Sequence, residues 1–144
     1  MSKTKCIPIY KNKNIQISNL PSISLDANNT EYLKAVKNLE LIFNNTLSWN
    51  IHIYASIGKL YEMLRTLKVT QYFTPLNIRL LLAKTYQIPS LLYCCEIYVN
   101  CDVECTRELN VAFNDVARYV FGVKRHRHVS ECSFKTFNMS FKFF

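Results

Sequence analysis

The chain has 144 residues, 49% of them apolar and 13% aromatic, with a formal net charge of +8. That length suits one ordinary domain, and that apolar content argues against disorder throughout. With only two glycines and four prolines, a turn-rich sandwich is disfavoured and helix should dominate.

Residues 1–14 carry Lys3, Lys5, Lys11 and Lys13 with no acid. The segment KCIPIY, residues 5–10, alternates weakly; KNKN then reads as a polar turn, and Ile15, Ile17 and Leu20 follow at wider spacing. This pattern predicts a hairpin. Pro21 and SISLD give another extended piece, Asn28-Asn29 a turn, and Tyr32–Val36 and Leu39–Phe43 two further strands around Lys37-Asn38. Together they predict a small antiparallel sheet of short strands over residues 1–46. It is too small to bury both faces and needs a cover.

The period changes near Thr46. From Ser48, a fair N-cap, Ile53, Ile57, Leu60, Leu64 and Leu67 recur at steps of four and three, placing one stripe along a helix. Lys59, Glu62, Arg65 and Lys68 fall off that stripe. Thr74-Pro75 reads as a capping hydroxyl followed by a first-turn proline. Leu80, Leu81, Leu82 and Ala83 then make the next helix apolar all round, as the buried centre would be. Pro89 predicts a kink near Thr85 within one bent helix from Pro75 to about Tyr98. A third helix is expected from Asp102 to Phe121, with Leu109, Ala112, Phe113, Val116 and Val120 inward and Gly122 as its stop. Val129–Asn138 forms a last short helical candidate. The predicted class is α+β, with three to four helices over residues 48–138.

Two-metal phosphoryl transfer needs carboxylates converging on ions about 3.5–4 Å apart. The three aspartates, Asp26, Asp102 and Asp115, are scattered and make no such pair. Cys101 and Cys105 share a helical face, and His126, His128 and Cys132 follow, which would suit zinc; the spacing lacks the two-residue knuckle, and idle thiols are the plain alternative. Cys94-Cys95 would point in different directions on their helix. The loop Lys124, Arg125, His126, Arg127, His128 fits either a capped helix end or a phosphate-contact patch. Tyr72, Phe73, Tyr86, Tyr93, Tyr98 and Tyr119 could stack on bases, although aromatics at helical spacing usually form core.

No apolar run reaches the ~20 residues that span a bilayer. The basic start lacks a signal peptide's apolar segment, which predicts an intracellular protein, nuclear or cytoplasmic. The sequons at Asn28, Asn44 and Asn138 then carry little meaning, and the six cysteines should be mostly free thiols.

In order along the chain, SKTKC, VKNLELIFNNTLSWNIHI, FTPLNIRLLLAKTYQIPSLLYCCEIY and RELNVAFNDVARYVFGVKRHRHVS resemble the end of the palm and the thumb of a non-LTR (LINE-type, jockey-like) retrotransposon reverse transcriptase. Leu39, Leu47, Trp49 and His52 fit that family's strand pair and turn. The resemblance implies a primer-grip-like hairpin in residues 1–46 and a helical thumb with a basic tail in residues 47–144. It places Lys3 where a lysine has been proposed to protonate pyrophosphate. Glu40 stands where the family's turn has glycine, Asn44 where it often has Asp, and Cys94 in place of the glycine of Tyr-Gly. A charged side chain at Glu40 predicts disturbed packing.

The Tyr-x-Asp-Asp strand is not in the chain, so catalysis is not implied, and magnesium would belong to the missing palm. The expected function is that of an inactive polymerase fragment with residual template–primer affinity through Lys3, Lys59, Arg65, Lys68, Lys124, Arg125 and Arg127. No small-molecule substrate or membrane is expected. The alternative is a small helical module that binds protein.

Overall fold

The computed structural model describes residues 5–10, 20–25, 28–96, 101–124 and 129. The class is α+β, with four short strands followed by helices, and the chain divides into two compact units, 1–52 and 53–144. The division falls six residues beyond the change of period near Thr46, within the first turn of a helix.

The first unit holds two antiparallel hairpins. Strands β1 (Ile23–Leu25) and β2 (Asn28–Thr30) pair with Leu25 opposite Asn28, so Asn28-Asn29 are strand residues rather than the expected turn. Strands β3 (Ala35–Asn38) and β4 (Leu41–Asn44) pair with Val36 opposite Phe43. Their turn is Leu39-Glu40, not Lys37-Asn38. Both turn residues have positive φ, 47° and 66°, as a two-residue primed turn demands. Cross-strand pairing of a β-branched with an aromatic side chain set this register, against the preference of Lys-Asn for turns.

Glu40 therefore occupies a turn position whose backbone favours glycine, and its carboxylate pairs with Lys37 at 2.8 Å. The packing disturbance expected of it is not found, because the side chain is exposed. KCIPIY runs beside the later strands: Cys6 bridges Tyr32 in parallel sense, and the Tyr10 N–H donates to the Asn45 carbonyl at 3.0 Å. Its expected partner, residues 15–20, lies almost wholly outside the described residues.

Asn44 is buried, and its Oδ1 accepts the Ser48 N–H at 2.7 Å. Phe43 and Trp49 pack edge-on, with ring centroids 5.4 Å apart. An amide and an aromatic pair thus fix the connection into helix α1, which begins at Asn50, two residues after Ser48.

The second unit holds the core. On α1 (Asn50–Val69), Ile53, Ile57, Leu60 and Leu64 are buried as the stripe predicts, with Leu67 half-buried. Helix α2 (Leu76–Leu82), a π turn (Ala83–Gln87) and helix α3 (Ile88–Leu92) run on without a break. The π turn answers Pro89: the ring would strike the carbonyl four residues back, that of Thr85, and one extra residue in the turn relieves the clash. The Thr74 hydroxyl does not cap α2; it donates to the Thr70 carbonyl at 2.8 Å.

Two expectations for this segment fail. No residue of α2 is buried, and Leu81 is exposed, so α2 is not the centre of the core; the segment meets it through Ala83, Gln87, Ile88 and Leu91. The helix also stops at Leu92 rather than near Tyr98. Tyr93 leaves helical geometry and Cys94 turns left-handed at φ 57°, so Cys94 and Cys95 lie beyond that helix, Cys94 in the turn and Cys95 in a 3-10 turn with Glu96.

Helix α4 (Val103–Phe121) is the true centre, burying Leu109, Ala112, Phe113, Val116 and Val120 as expected, with Cys105, Ala117 and Tyr119 besides. Gly122, at φ 68°, ends it, and the Val123 N–H returns to the Arg118 carbonyl at 3.1 Å. The expected helix 129–138 lies outside the described residues, save buried Val129.

Candidate functional site

A stripe on α4 borders the core face. Arg107, Glu108, Val111, Asp115, Arg118, Tyr119 and Gly122 recur at helical steps along it and form one wall of a cleft of about 690 Å³. Tyr61 and Lys68 of α1, seven residues apart and so on one face, join Gln71 and Tyr72 of the following turn as the other wall. Val123 and Lys124 close the end. All of these residues belong to the second unit.

Side chains from two elements fix this end of α4. Gln71 Nε2 at 2.8 Å and Arg79 Nη1 at 3.1 Å both donate to the Tyr119 carbonyl, while the N–H groups of Gly122 and Val123 serve the Arg118 carbonyl. Carbonyls that a helix end leaves exposed are therefore met by donors, which blunts the negative end of the helix dipole at the cleft.

The cleft holds four cations and two acids, and pairing divides them. Arg118 bonds Asp115 at 2.9 Å, both largely shielded. Arg107 bonds Glu104 and Glu108 and holds the Glu104 carboxyl below its ordinary range. Lys68 and Lys124 are exposed, with no carboxylate partner among the described residues. These two ammonium groups carry the unneutralised charge of the cleft.

Lys68 and Lys124 were both expected contacts, and the structure brings them together. Arg65 is exposed but does not line the cleft. Lys59 is exposed on α1 nine residues before Lys68, about half a turn round the helix from it. Lys3, Arg125 and Arg127 lie outside the described residues. Among the aromatics, Tyr72 is 94% and Phe73 88% exposed, Tyr86 and Tyr93 are also exposed, Tyr119 is buried, and Tyr98 lies outside the described residues. Arg107, Arg118 and Tyr61 were missed as lining residues; the helical spacing of Glu104, Glu108, Asp115 and Arg118, at steps of four, seven and three, was the available signal.

The carboxylates do not fit a two-metal site. Asp102 precedes α4 and Asp115 lies thirteen residues further on, about 20 Å along the axis, while Asp115 is taken by Arg118. Asp26 lies outside the described residues, among which no group of three or more His, Cys, Asp or Glu is placed to hold a metal ion. The expected helical face shared by Cys101 and Cys105 is absent, since Cys101 precedes the helix and its Sγ lies 3.3 Å from Thr106 Oγ1. Burial pushes the Cys105 thiol up, against a hydrogen bond with Tyr54. His126, His128 and Cys132, the other candidate zinc ligands, lie outside the described residues.

No family model, curated protein or solved structure matches the chain. Among the described residues, no helix is long and apolar enough to cross a membrane.

Proposed function

We propose that the chain is a piece of a non-LTR retrotransposon reverse transcriptase, covering the end of the palm and the thumb, without polymerase activity of its own and with residual affinity for a template–primer duplex. The observation that carries this reading is backbone geometry at substituted positions. Where the family pattern has glycine, this chain has Glu40 and Cys94, and both adopt positive φ, 66° and 57°. A left-handed residue is expected of glycine and disfavoured for other side chains. Chance would not readily place two of the four non-glycine residues of this kind among the described residues at those two positions. A third position agrees: Asn44, in place of Asp, uses the oxygen that a carboxylate would also offer to the Ser48 N–H.

Affinity would rest on Lys59, Arg65, Lys68 and Lys124, four exposed cations among those of the second unit, together with Lys3, Arg125 and Arg127. Fluorescence anisotropy of a labelled primer–template duplex at two salt concentrations tests it. Binding that weakens with salt is expected, each phosphate contact adding about 0.9 to the log–log slope. Absence of salt-sensitive binding would remove the affinity from the reading.

The second reading, a protein-binding module, draws on exposed Phe73, Leu76 and Leu81. It requires a monodisperse protein with a specific partner, whereas a fragment with open strand edges should self-associate. Sedimentation of the purified chain separates the two.

A further inference from the structure

We infer that the cleft between α1 and the C-terminal half of α4 binds a single-stranded nucleic-acid segment, with Lys68 and Lys124 on phosphates and Tyr72 under a base. This rests on the nucleic-acid reading above and assigns the kind of strand and the site, neither of which follows from duplex binding.

Three observations point there. The volume, about 690 Å³, lies within the range of pockets that enclose small organic ligands. That is room for a nucleotide-sized group. The charge is also arranged for an anion. Both arginines are held by carboxylates, the carbonyls at the end of α4 are met by donors, and the two lysines remain to meet phosphate. Finally, Tyr72 stands at the wall 94% exposed, a ring whose apolar face is left to water. An aromatic face beside unpaired cations is the combination that holds unpaired bases, since every base offers a face to stack while the backbone follows the positive charge. In a duplex those faces are already stacked.

Anisotropy on the full chain, with a labelled single-stranded oligonucleotide and a duplex of equal length, tests the inference. The single strand should bind more tightly. Tyr72→Ala should weaken its binding roughly tenfold, and Lys68→Ala with Lys124→Ala should lower the log–log salt slope by about 1.4. Lys84→Ala, which removes an exposed charge outside the cleft, should leave the slope nearly unchanged. All replaced side chains are exposed, and unchanged thermal unfolding would show each variant folded. Duplex binding with single-strand binding absent, or insensitive to these substitutions, would overturn the cleft assignment and leave the proposed function standing. Binding to neither would overturn the cleft assignment and remove nucleic-acid affinity from the proposed function.

Discussion

The two units differ in what they bury. Every buried apolar side chain among the described residues lies in the helical unit, from Ile53 to Val129, whereas the hairpin unit buries only Asn44 and His52. Hairpins of three- and four-residue strands have marginal stability by themselves, because ladder hydrogen bonds replace bonds to water with little net gain. The helical unit withdraws three layers of apolar side chains from water along α1, α3 and α4. Order in the first unit therefore depends on local devices: the Asn44 amide, the Phe43–Trp49 contact and the Lys37–Glu40 pair.

The largest expected effect would break this contrast outright. Leu109→Ala, at the fully buried centre of α4, should cost about 3 kcal/mol of stability in chemical denaturation. Val36→Ala, on the partly exposed ladder of β3, should cost less than about 1 kcal/mol. Equal losses would show that the hairpin unit has a core after all.

A smaller effect has the opposite sign. Gln87 is fully buried in the π turn, and neither atom of its amide has a hydrogen-bond partner among the described residues. Gln87→Met keeps the length, removes the unmet polar atoms and should stabilise the helical unit by about 1–2 kcal/mol. Destabilisation on the same denaturation curve would mean that the amide holds a buried water that Met cannot replace.

Smallest is Glu40→Gly. Relief of positive φ should outweigh the loss of an exposed ion pair, raising hairpin order by about 0.5–1 kcal/mol. Slower amide exchange in β3 and β4 would show it, and faster exchange would contradict the glycine-like geometry on which the proposed function rests.

Alkaline pH should act on the helical unit. Burial raises the Cys105 thiol and the Tyr119 phenol, with Arg79 opposing the latter shift. Above the ordinary thiol range, about 8.5, the unfolded chain loses protons that the folded chain keeps. Stability is therefore complete below that pH and falls as pH rises toward the folded values. A denaturation midpoint that is flat from pH 7 to 8 and then declines is expected; a midpoint rising over the upper range would contradict it.

How much the sequence disclosed varied with the kind of signal. The end of α4 was legible to the residue and its start to within one, because an apolar stripe and a glycine at the left-handed stop act locally. A disturbance of the helix near Thr85 was legible from Pro89, but its form, a π turn, was not. Apolar residues on every side of Leu80–Ala83 read as buried, although burial depends on which neighbours arrive, and α2 lies at the edge. The Leu39-Glu40 turn was hidden because side chains carried no glycine to announce it. The cleft was half visible: Lys68 and Lys124 could be named singly, but residues 56 apart meet only through the fold, and the pairing that neutralises Arg107 and Arg118 is a matter of side-chain geometry.

Native-state hydrogen exchange of the full chain, resolved by segment, tests the contrast between the units most directly. The account predicts the slowest amides in α1 and α4 around Leu60 and Leu109–Val120, with β1 to β4 exchanging near the rate of unprotected chain. Protection of the strands equal to that of α4 would contradict it.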